Sequence, residues 1–505
     1  MSIIYLQIYF VTIACILGTG ILGLPVTLYK SGFYPFLISF LTTFFFQVLL
    51  IFITVEILQR ACINQFLAFK ESLDKELHDA LQNKKEESES SEDEDNLHNH
   101  FITPPNLHML SEMFLCNGVR HIFDFLAVLQ LSSVLIGYCL AGSESYSEIL
   151  HIEKVYIMPV YVCVLSSFII FALHLIKPIV SFLTLLKGLA FALTVIITCI
   201  IGFKIRENVI DDYHNIGNSF LMGTVALGGT IYVMPFLYKD IVQNKTEIRK
   251  YLLAVLSALT TCTILNILWC WSVLSIVPQL DFCSNSAVIP HFVGNNTLTT
   301  PDYCESYISL EKAASNGEIS TTPLVKLIKQ RYQEYAWIST LIEIFIVISI
   351  SVAFLTLGTA LQDIVSGIIH STFFQQRNNN CLPVQWQTEM REKIIKNIST
   401  GILFGIIFLI AIFSLKSFIT VMEKVSSFAL NTINILLFFM YTQSRRGKNS
   451  NVEIPLPIPK WMDIINYLLP VYFGFAVIYD GFVTTTDYLE SLKHNKTQRA
   501  LYSQQ

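Results

Sequence analysis

Gly18-Thr19-Gly20-Ile21-Leu22-Gly23-Leu24-Pro25 sets three glycines and a proline inside an apolar run that begins almost at Met1. Glycine frees the backbone, and proline removes a donor and crowds the preceding turn. A continuous helix is therefore not expected across this stretch. In hydrocarbon, a broken backbone is tolerated only where it is buried in protein or lines a cavity. The stretch has a counterpart in Gly228-Gly229-Thr230-Ile231-Tyr232-Val233-Met234-Pro235, where a glycine again precedes a proline by seven residues. Matching interruptions in two halves of a chain point to a transporter binding site. The alternative is a pair of packing kinks, since Gly and Pro are common in membrane helices.

The composition makes a membrane setting necessary. Charged residues are 14% of 505, against roughly 25% in soluble domains. The hydrophobic share is 53% and the formal charge is −5. A soluble enzyme, a disordered scaffold and a nucleic-acid binder are all disfavoured, the last because no basic surface is available for phosphates. A helix needs about 20 largely apolar residues to cross a bilayer. Eleven runs qualify: 5–29, 33–58, 121–141, 156–176, 179–203, 216–238, 251–277, 336–361, 397–415, 418–441 and 462–483. The first has no basic n-region and no small-residue cleavage site, so it reads as a span and not as a signal peptide. The expected class is an all-α polytopic membrane protein, and the interruptions fall in runs one and six, the first of each half of a five-plus-five arrangement.

Charge sets the expected orientation. With the N-terminus inside, the inner segments carry 19 Lys and Arg and the outer ones 12. The positive-inside rule then favours N-in and C-out. The outer loop 278–335 holds Cys283, Cys304 and, between them, the sequon at Asn295. This suits a disulfide and a glycan in an oxidising lumen; two free thiols and an unused sequon are the alternative. The sequons at Asn244 and Asn397 fall on the inner side or at a membrane edge and read as chance. The inner loop 59–120 contains EESESSEDED at 86–95, a self-repelling run expected to be disordered. Ser90 and Ser91 each have an acid three residues on, so the loop offers a site for an acid-directed kinase or another cytosolic protein, or serves only as a tether.

GTGILGLP, followed by Ser31-Gly32, resembles the first-helix signature of the amino acid/auxin permease family, and most closely that of its proton-assisted amino acid transporter branch. The long acidic loop departs from that branch and is similar to orphan members of the family. The resemblance implies the leucine-transporter fold, with inverted repeats over 5–203 and 216–441 and an extra helix at 462–483. Together these form one transmembrane domain over 1–483, followed by a tail at 484–505. It further implies an amino acid substrate and a plasma, endolysosomal or vacuolar membrane.

A zwitterion needs an anion site and a cation site a few ångströms apart. An unwound helix offers both: free N–H groups near Ile21, Leu22 and Gly23, and carbonyls near Leu17, Gly18, Leu227 and Gly228. Thr19, Gly20 and Gly229 complete the expected backbone site, with Tyr138, Tyr232 and Phe236 as side-chain candidates. Lys187 is a lone charge about 12 Å into run five. Some proton-coupled relatives of this fold are similar in placing a lysine on this helix where sodium-coupled ones bind a cation. Lys187 therefore reads either as the proton-coupling group or as a side chain snorkelling to the interface. The coupling ion is H+, or Na+ with Ser351 and Thr356 of run eight as ligands. Glu343 in run eight and the pair Glu423 and Lys424 in run ten suit interfacial anchoring or pairing.

No resident cofactor or metal is expected. No span carries a His pair at i, i+4 or an acid dyad, and His98-Asn99-His100 is a weak metal fragment. No phosphate loop or Cys-x-x-Cys occurs, so an enzyme is disfavoured. The expected function is a secondary, cation-coupled amino acid transporter working by alternating access around unwound runs one and six. A non-transporting amino acid sensor on the same fold is the alternative.

Overall fold

The computed structural model describes residues 3–83, 106–171, 173–280, 308–374, 385–413, 421–446 and 453–502. Among these the regular structure is helical throughout, and eleven helices are long and apolar enough to cross a membrane. Spans 1 to 5 are Ile3–Thr27, Phe33–Ala68, Asn117–Leu150, Lys154–Phe171 and Phe182–Ile205. Spans 6 to 11 are Tyr213–Tyr238, Lys245–Ile276, Gln333–Thr372, Lys393–Phe413, Lys424–Ser444 and Trp461–Thr486. Spans 1, 3 and 6 are the most enclosed, whereas 4, 9 and 11 show most of their surface.

The packing map carries the repeat. Span 1 lies on span 7, and span 6 lies on span 2. Span 5 packs on 7 and on 1, while span 10 packs on 2 and on 6. Span 4 touches 8, and span 9 touches 3; spans 3 and 8 pack on each other. Each pair becomes another, or itself, when every span is exchanged for the one five places away. Five is odd, so the second repeat crosses in the opposite direction to the first. This is the five-plus-five inverted arrangement expected from the sequence, with span 11 outside it.

Local chemistry sets the ends. Gly32 closes the turn between spans 1 and 2 at φ +81°, where a Cβ would strike the Ile210 carbonyl and Asp211. Asp212 accepts from the His214 N–H at 2.9 Å and the Asn215 amide at 2.7 Å, which holds its carboxyl below the usual range. Asn244, one of the sequon residues, is a helix cap: its Oδ1 accepts from Glu247 N at 2.8 Å and opens span 7.

Three expectations about the loops need correction. The helix of span 2 does not stop at residue 58 but continues to Asn83. The 59–120 segment also holds the helix Leu107–Phe114, which is pinned to spans 3 and 8: His108 Nδ1 lies 2.9 Å from Asp124 Oδ2, and its Nε2 lies 2.7 Å from Ser371 Oγ. The tail continues span 11 as helix to Tyr502. Hydropathy marks where apolar residues stop, not where a helix stops, and neither 59–83 nor 484–502 contains a Gly or Pro to end one. Loop 278–335 carries a helical hairpin, Leu310–Asn316 and Thr321–Arg331. Ser90, Ser91, Cys283, Cys304 and Asn295 lie outside the described residues.

Candidate functional site

The largest correction concerns span 1. It is one helix from Ile3 to Thr27, wound through all of Gly18–Pro25. The physical reason lies on partners far away in sequence. Pro25 has no N–H for the Ile21 carbonyl four residues back. That oxygen instead accepts from Trp269 Nε1 of span 7 at 3.0 Å and from Ser320 Oγ at 2.6 Å. Ser320 N donates to the Leu22 carbonyl at 2.9 Å. Ser320 sits in the bend between the two hairpin helices, so that bend clasps span 1 where proline weakens it. The free N–H groups expected near Ile21, Leu22 and Gly23 are therefore held within the helix. Span 6 is interrupted only at Gly229, where Tyr232 N reaches back three residues to the Gly229 carbonyl at 3.2 Å. Cys15 Sγ donates to the same oxygen at 3.2 Å, tying span 6 to span 1.

In this conformation the glycines serve close approach. A Cβ on Gly18 would strike the Tyr138 hydroxyl of span 3, and one on Gly20 would come within 2.8 Å of Asn266 Oδ1 of span 7. Gly23 faces Met222, Gly228 faces Leu430 of span 10, and Gly229 faces Cys15. Leu227 is fully buried. The sequence-predicted residues of spans 1, 3 and 6 thus meet around positions 15–23 of span 1. Phe236 does not join them: it is half-buried beyond Tyr232, with the Lys239 ammonium 5.3 Å from its ring centre.

The buried polar atoms with no partner among the described residues include Tyr138 Oη, which lies against Gly18, Asn266 Oδ1, which lies against Gly20, and Tyr232 Oη and Thr230 Oγ1 of span 6. Tyr232 lies near Cys15, one turn from Gly18. The Asn266 Nδ2 donates to the Cys262 carbonyl at 2.9 Å, which leaves Oδ1 as the free acceptor. Each buried unsatisfied group costs about 1–3 kcal/mol, and such groups in native proteins call for an explanation. On a wound helix Gly18 and Gly20 point about 200° apart, so the Tyr138 hydroxyl meets one side of span 1 and Asn266 Oδ1 the other.

Lys187 is fully buried. Its Nζ donates to the Ala14 carbonyl of span 1 at 2.9 Å and to the Ser349 carbonyl of span 8 at 3.3 Å. The side chain turns into the bundle, so snorkelling does not describe it. Among the described residues no carboxylate pairs with it. The ammonium joins spans 1, 5 and 8 one helical turn from Gly18. The hydroxyls expected for sodium donate within span 8 and keep oxygen lone pairs that a cation could use. Ser351 Oγ donates to Val347 O at 2.8 Å and lies 3.3 Å from the Tyr146 hydroxyl, and Thr356 Oγ1 donates to Val352 O at 2.8 Å. Glu343 pairs with Lys329 of the hairpin at 2.6 Å, as its place near a span end suggested.

The sequence reading missed Asn266 and Trp269. Both stand in an apolar run between Cys262 and Cys270, and a side-chain amide in such a run was the available signal. It also missed Ser320, whose role depends on a fold-level contact.

No family model matches the chain, and no curated protein matches it. Among solved structures it is similar to a manganese transporter from Eremococcus coleocola in complex with an aromatic bis-isothiourea substituted compound. That likeness has 10% identity and a TM-score of 0.47, over 94% of this chain and 85% of that one. Two single-residue variants of the same transporter are similar at 11% and 12% identity, with TM-scores of 0.47 and 0.46 and the same coverage.

Proposed function

We propose that the chain is a secondary active transporter of amino acids, coupled to protons, with its substrate held around Gly18 and Gly20. The observation that carries this reading is the buried, carbonyl-held ammonium of Lys187 one turn from Gly18, a glycine against which the unpartnered Tyr138 hydroxyl lies. Asn266 Oδ1 accepts from the substrate ammonium. The hydroxyls of Tyr138, Thr230 and Tyr232 donate to its carboxylate. Unwinding of Gly18–Pro25 lets the ligand reach the backbone at 18 and 20, whose faces Tyr138 and Asn266 fill in the wound helix. Span 1 is the moving element: its Gly18–Pro25 stretch has weak intrinsic helicity and stays wound through the Trp269 and Ser320 bonds. Releasing Ser320 opens one end, and deprotonating Lys187 frees span 1 from spans 5 and 8 and opens the other.

Uptake into proteoliposomes, with each standard amino acid in turn and an imposed pH or sodium gradient, tests this. At least one amino acid should accumulate, faster with an inward proton gradient and indifferent to sodium. Strict sodium dependence would overturn the coupling assignment. Saturable binding without flux would identify a sensor instead of a transporter.

A further inference from the structure

The helix Leu107–Phe114 precedes span 3, at the end of the molecule opposite the hairpin and cytosolic in the predicted orientation. It packs on spans 2, 3, 8 and 10. Spans 3 and 8 pack on each other, whereas span 2 packs on 6 and 7, and span 7 on span 1. The helix thus bridges the group that holds span 1 and the span 8 from which span 1 must part. Its start is fitted to span 8. Asn106 caps it by accepting from Met109 N at 2.8 Å and lies against Gly367, where a Cβ would come within 2.5 Å of the Asn106 amide.

His108, two residues after the cap, is 5% exposed. Its Nδ1 lies 2.9 Å from Asp124 Oδ2 of span 3, and its Nε2 lies 2.7 Å from Ser371 Oγ in the last turn of span 8. The other Asp124 oxygen accepts from Ser111 Oγ at 3.0 Å. Ser371 Oγ has a second acceptor within reach, the Ile368 carbonyl at 3.1 Å. This cluster accommodates both charge states of the ring. Neutral imidazole donates from Nδ1 to Asp124 and accepts at Nε2 from the Ser371 hydroxyl. Imidazolium donates from both nitrogens; the Ser371 oxygen then accepts, and its hydrogen turns to Ile368. Gaining the proton needs only that hydroxyl to rotate, and it turns the Asp124 contact into a bond between opposite charges. Asp124 is the charged group that faces the ring. On the elements packed here, Glu112 pairs with Arg120 at 3.1 Å, Asp363 of span 8 with Lys239 at 3.6 Å, and Glu56 of span 2 with Arg60 at 3.1 Å and Arg445 of span 10 at 2.6 Å. Lys70, Glu71, His121, His370 and Arg446 are exposed.

We propose that the His108–Asp124–Ser371 latch senses cytosolic pH and brakes transport when the cytosol acidifies. The inference rests on the transport reading above and adds a regulator to it, separate from Lys187. Imidazole is the side chain whose charge ordinarily changes between about pH 5 and 8. At the acid end of that range the charged ring tightens the latch and holds span 8 to span 2. At the alkaline end the latch relaxes, and span 1 parts from span 8 more readily. A protein that carries protons to this face is thereby slowed by the acid it delivers.

The test reads the full-length protein in two ways. In lipid nanodiscs, amide hydrogen exchange of residues 107–114, corrected for the intrinsic effect of pH, should slow about fivefold from about pH 7.5 to 6. In proteoliposomes at equal pH on both faces, exchange of tritiated for unlabelled amino acid should slow by a similar factor over the same range. His108→Asn keeps a donor at the place of Nδ1 and cannot take a charge. It should abolish both changes and keep the acceleration by an inward proton gradient, which belongs to Lys187. Asp124→Asn should abolish both changes as well. Amide protection that ignores pH in the wild type, or follows it equally in His108→Asn, would overturn the sensor whatever the flux. Protection that responds while amino acid exchange does not would overturn the brake. If no amino acid moves, yet protection follows pH in the wild type and not in His108→Asn, the transport reading fails and the sensor stands.

Discussion

Lys187 carries a charge whose stabilising contacts are two backbone carbonyls, of Ala14 and Ser349. Two carbonyls and, among the described residues, no carboxylate hold it, and the proposed role is exchange of its proton during the cycle. Lys187→Ala should leave the protein folded and substrate binding partly intact but remove the acceleration by an inward proton gradient. Lys187→Arg should lose it too, because a guanidinium stays charged at any working pH. Uptake rates across a series of external pH values would decide. At the substrate's other end, Asn266→Leu removes the free acceptor and should weaken amino acid binding at least tenfold. Gly20→Val should do the same by driving its Cβ branches into Asn266. Asn266→Leu should also hold or raise the melting temperature, since an unpartnered polar atom has been replaced by an apolar one. A fall in both binding and melting temperature would mark Asn266 as structural.

Span 1 and the hairpin behave as one element. Trp269→Phe and Ser320→Ala each strip one donor from the Ile21 carbonyl, and each should destabilise the protein by about 1–2 kcal/mol. Together they should cost more than the sum, because the oxygen is then left buried without a partner; thermal melting of the purified single and double variants measures this. A comparable clamp holds spans 2 and 10 and the link to span 11. The fully buried Glu56 accepts from Arg445 at 2.6 and 2.7 Å, from Arg60 at 3.1 Å and from Ile458 N at 3.0 Å. Glu56→Ala removes the acceptor of all four bonds and should cost about 3 kcal/mol, although Arg445 keeps Asp463 at 2.7 Å; Arg445→Ala alone should cost less, since Arg445 is partly exposed. The glycines and prolines of runs one and six were legible as places where a helix is weak, and the charge of Lys187 as something that needed partners inside the bundle. Continuity of span 1 was not legible, because it rests on Trp269 and Ser320, which are 248 and 299 residues from Ile21. The same holds for Phe236: spacing put it one turn past Tyr232, but which side of that turn meets the site is decided by packing.

At the scale of the whole molecule, the eleven spans among the described residues, each crossing once, put Ile3 and Tyr502 on opposite sides. We predict that the N-terminus is cytosolic, from the excess of Lys and Arg on that side. The helix that runs to Tyr502 should then project from the other face. A C-terminal tag should resist protease added to the cytosolic face of sealed membranes, and an N-terminal tag should be cut. Digestion of the C-terminal tag there would mean a wrong orientation or a wrong span count. The symmetric pairing of spans also explains why weak points recur at Gly18–Pro25 and Gly228–Pro235: spans 1 and 6 occupy equivalent places at the centre of the two halves.

An ammonium inside the bilayer, with no paired carboxylate among the described residues, also lies in the transmembrane electric field. Moving one elementary charge through the whole field changes the energy by about 2.3 kcal/mol per 100 mV. Under the proposed coupling, a proton reaches Lys187 from one side, leaves to the other and so crosses that field, and a cycle carrying a neutral amino acid moves net charge. With no pH difference imposed, vesicles clamped inside-negative by a potassium gradient and valinomycin should take up substrate several-fold faster than unpolarised ones. Lys187→Ala vesicles should show no such dependence. The wild-type protein would thus draw on the cell's electrical gradient even when the pH is equal on both faces.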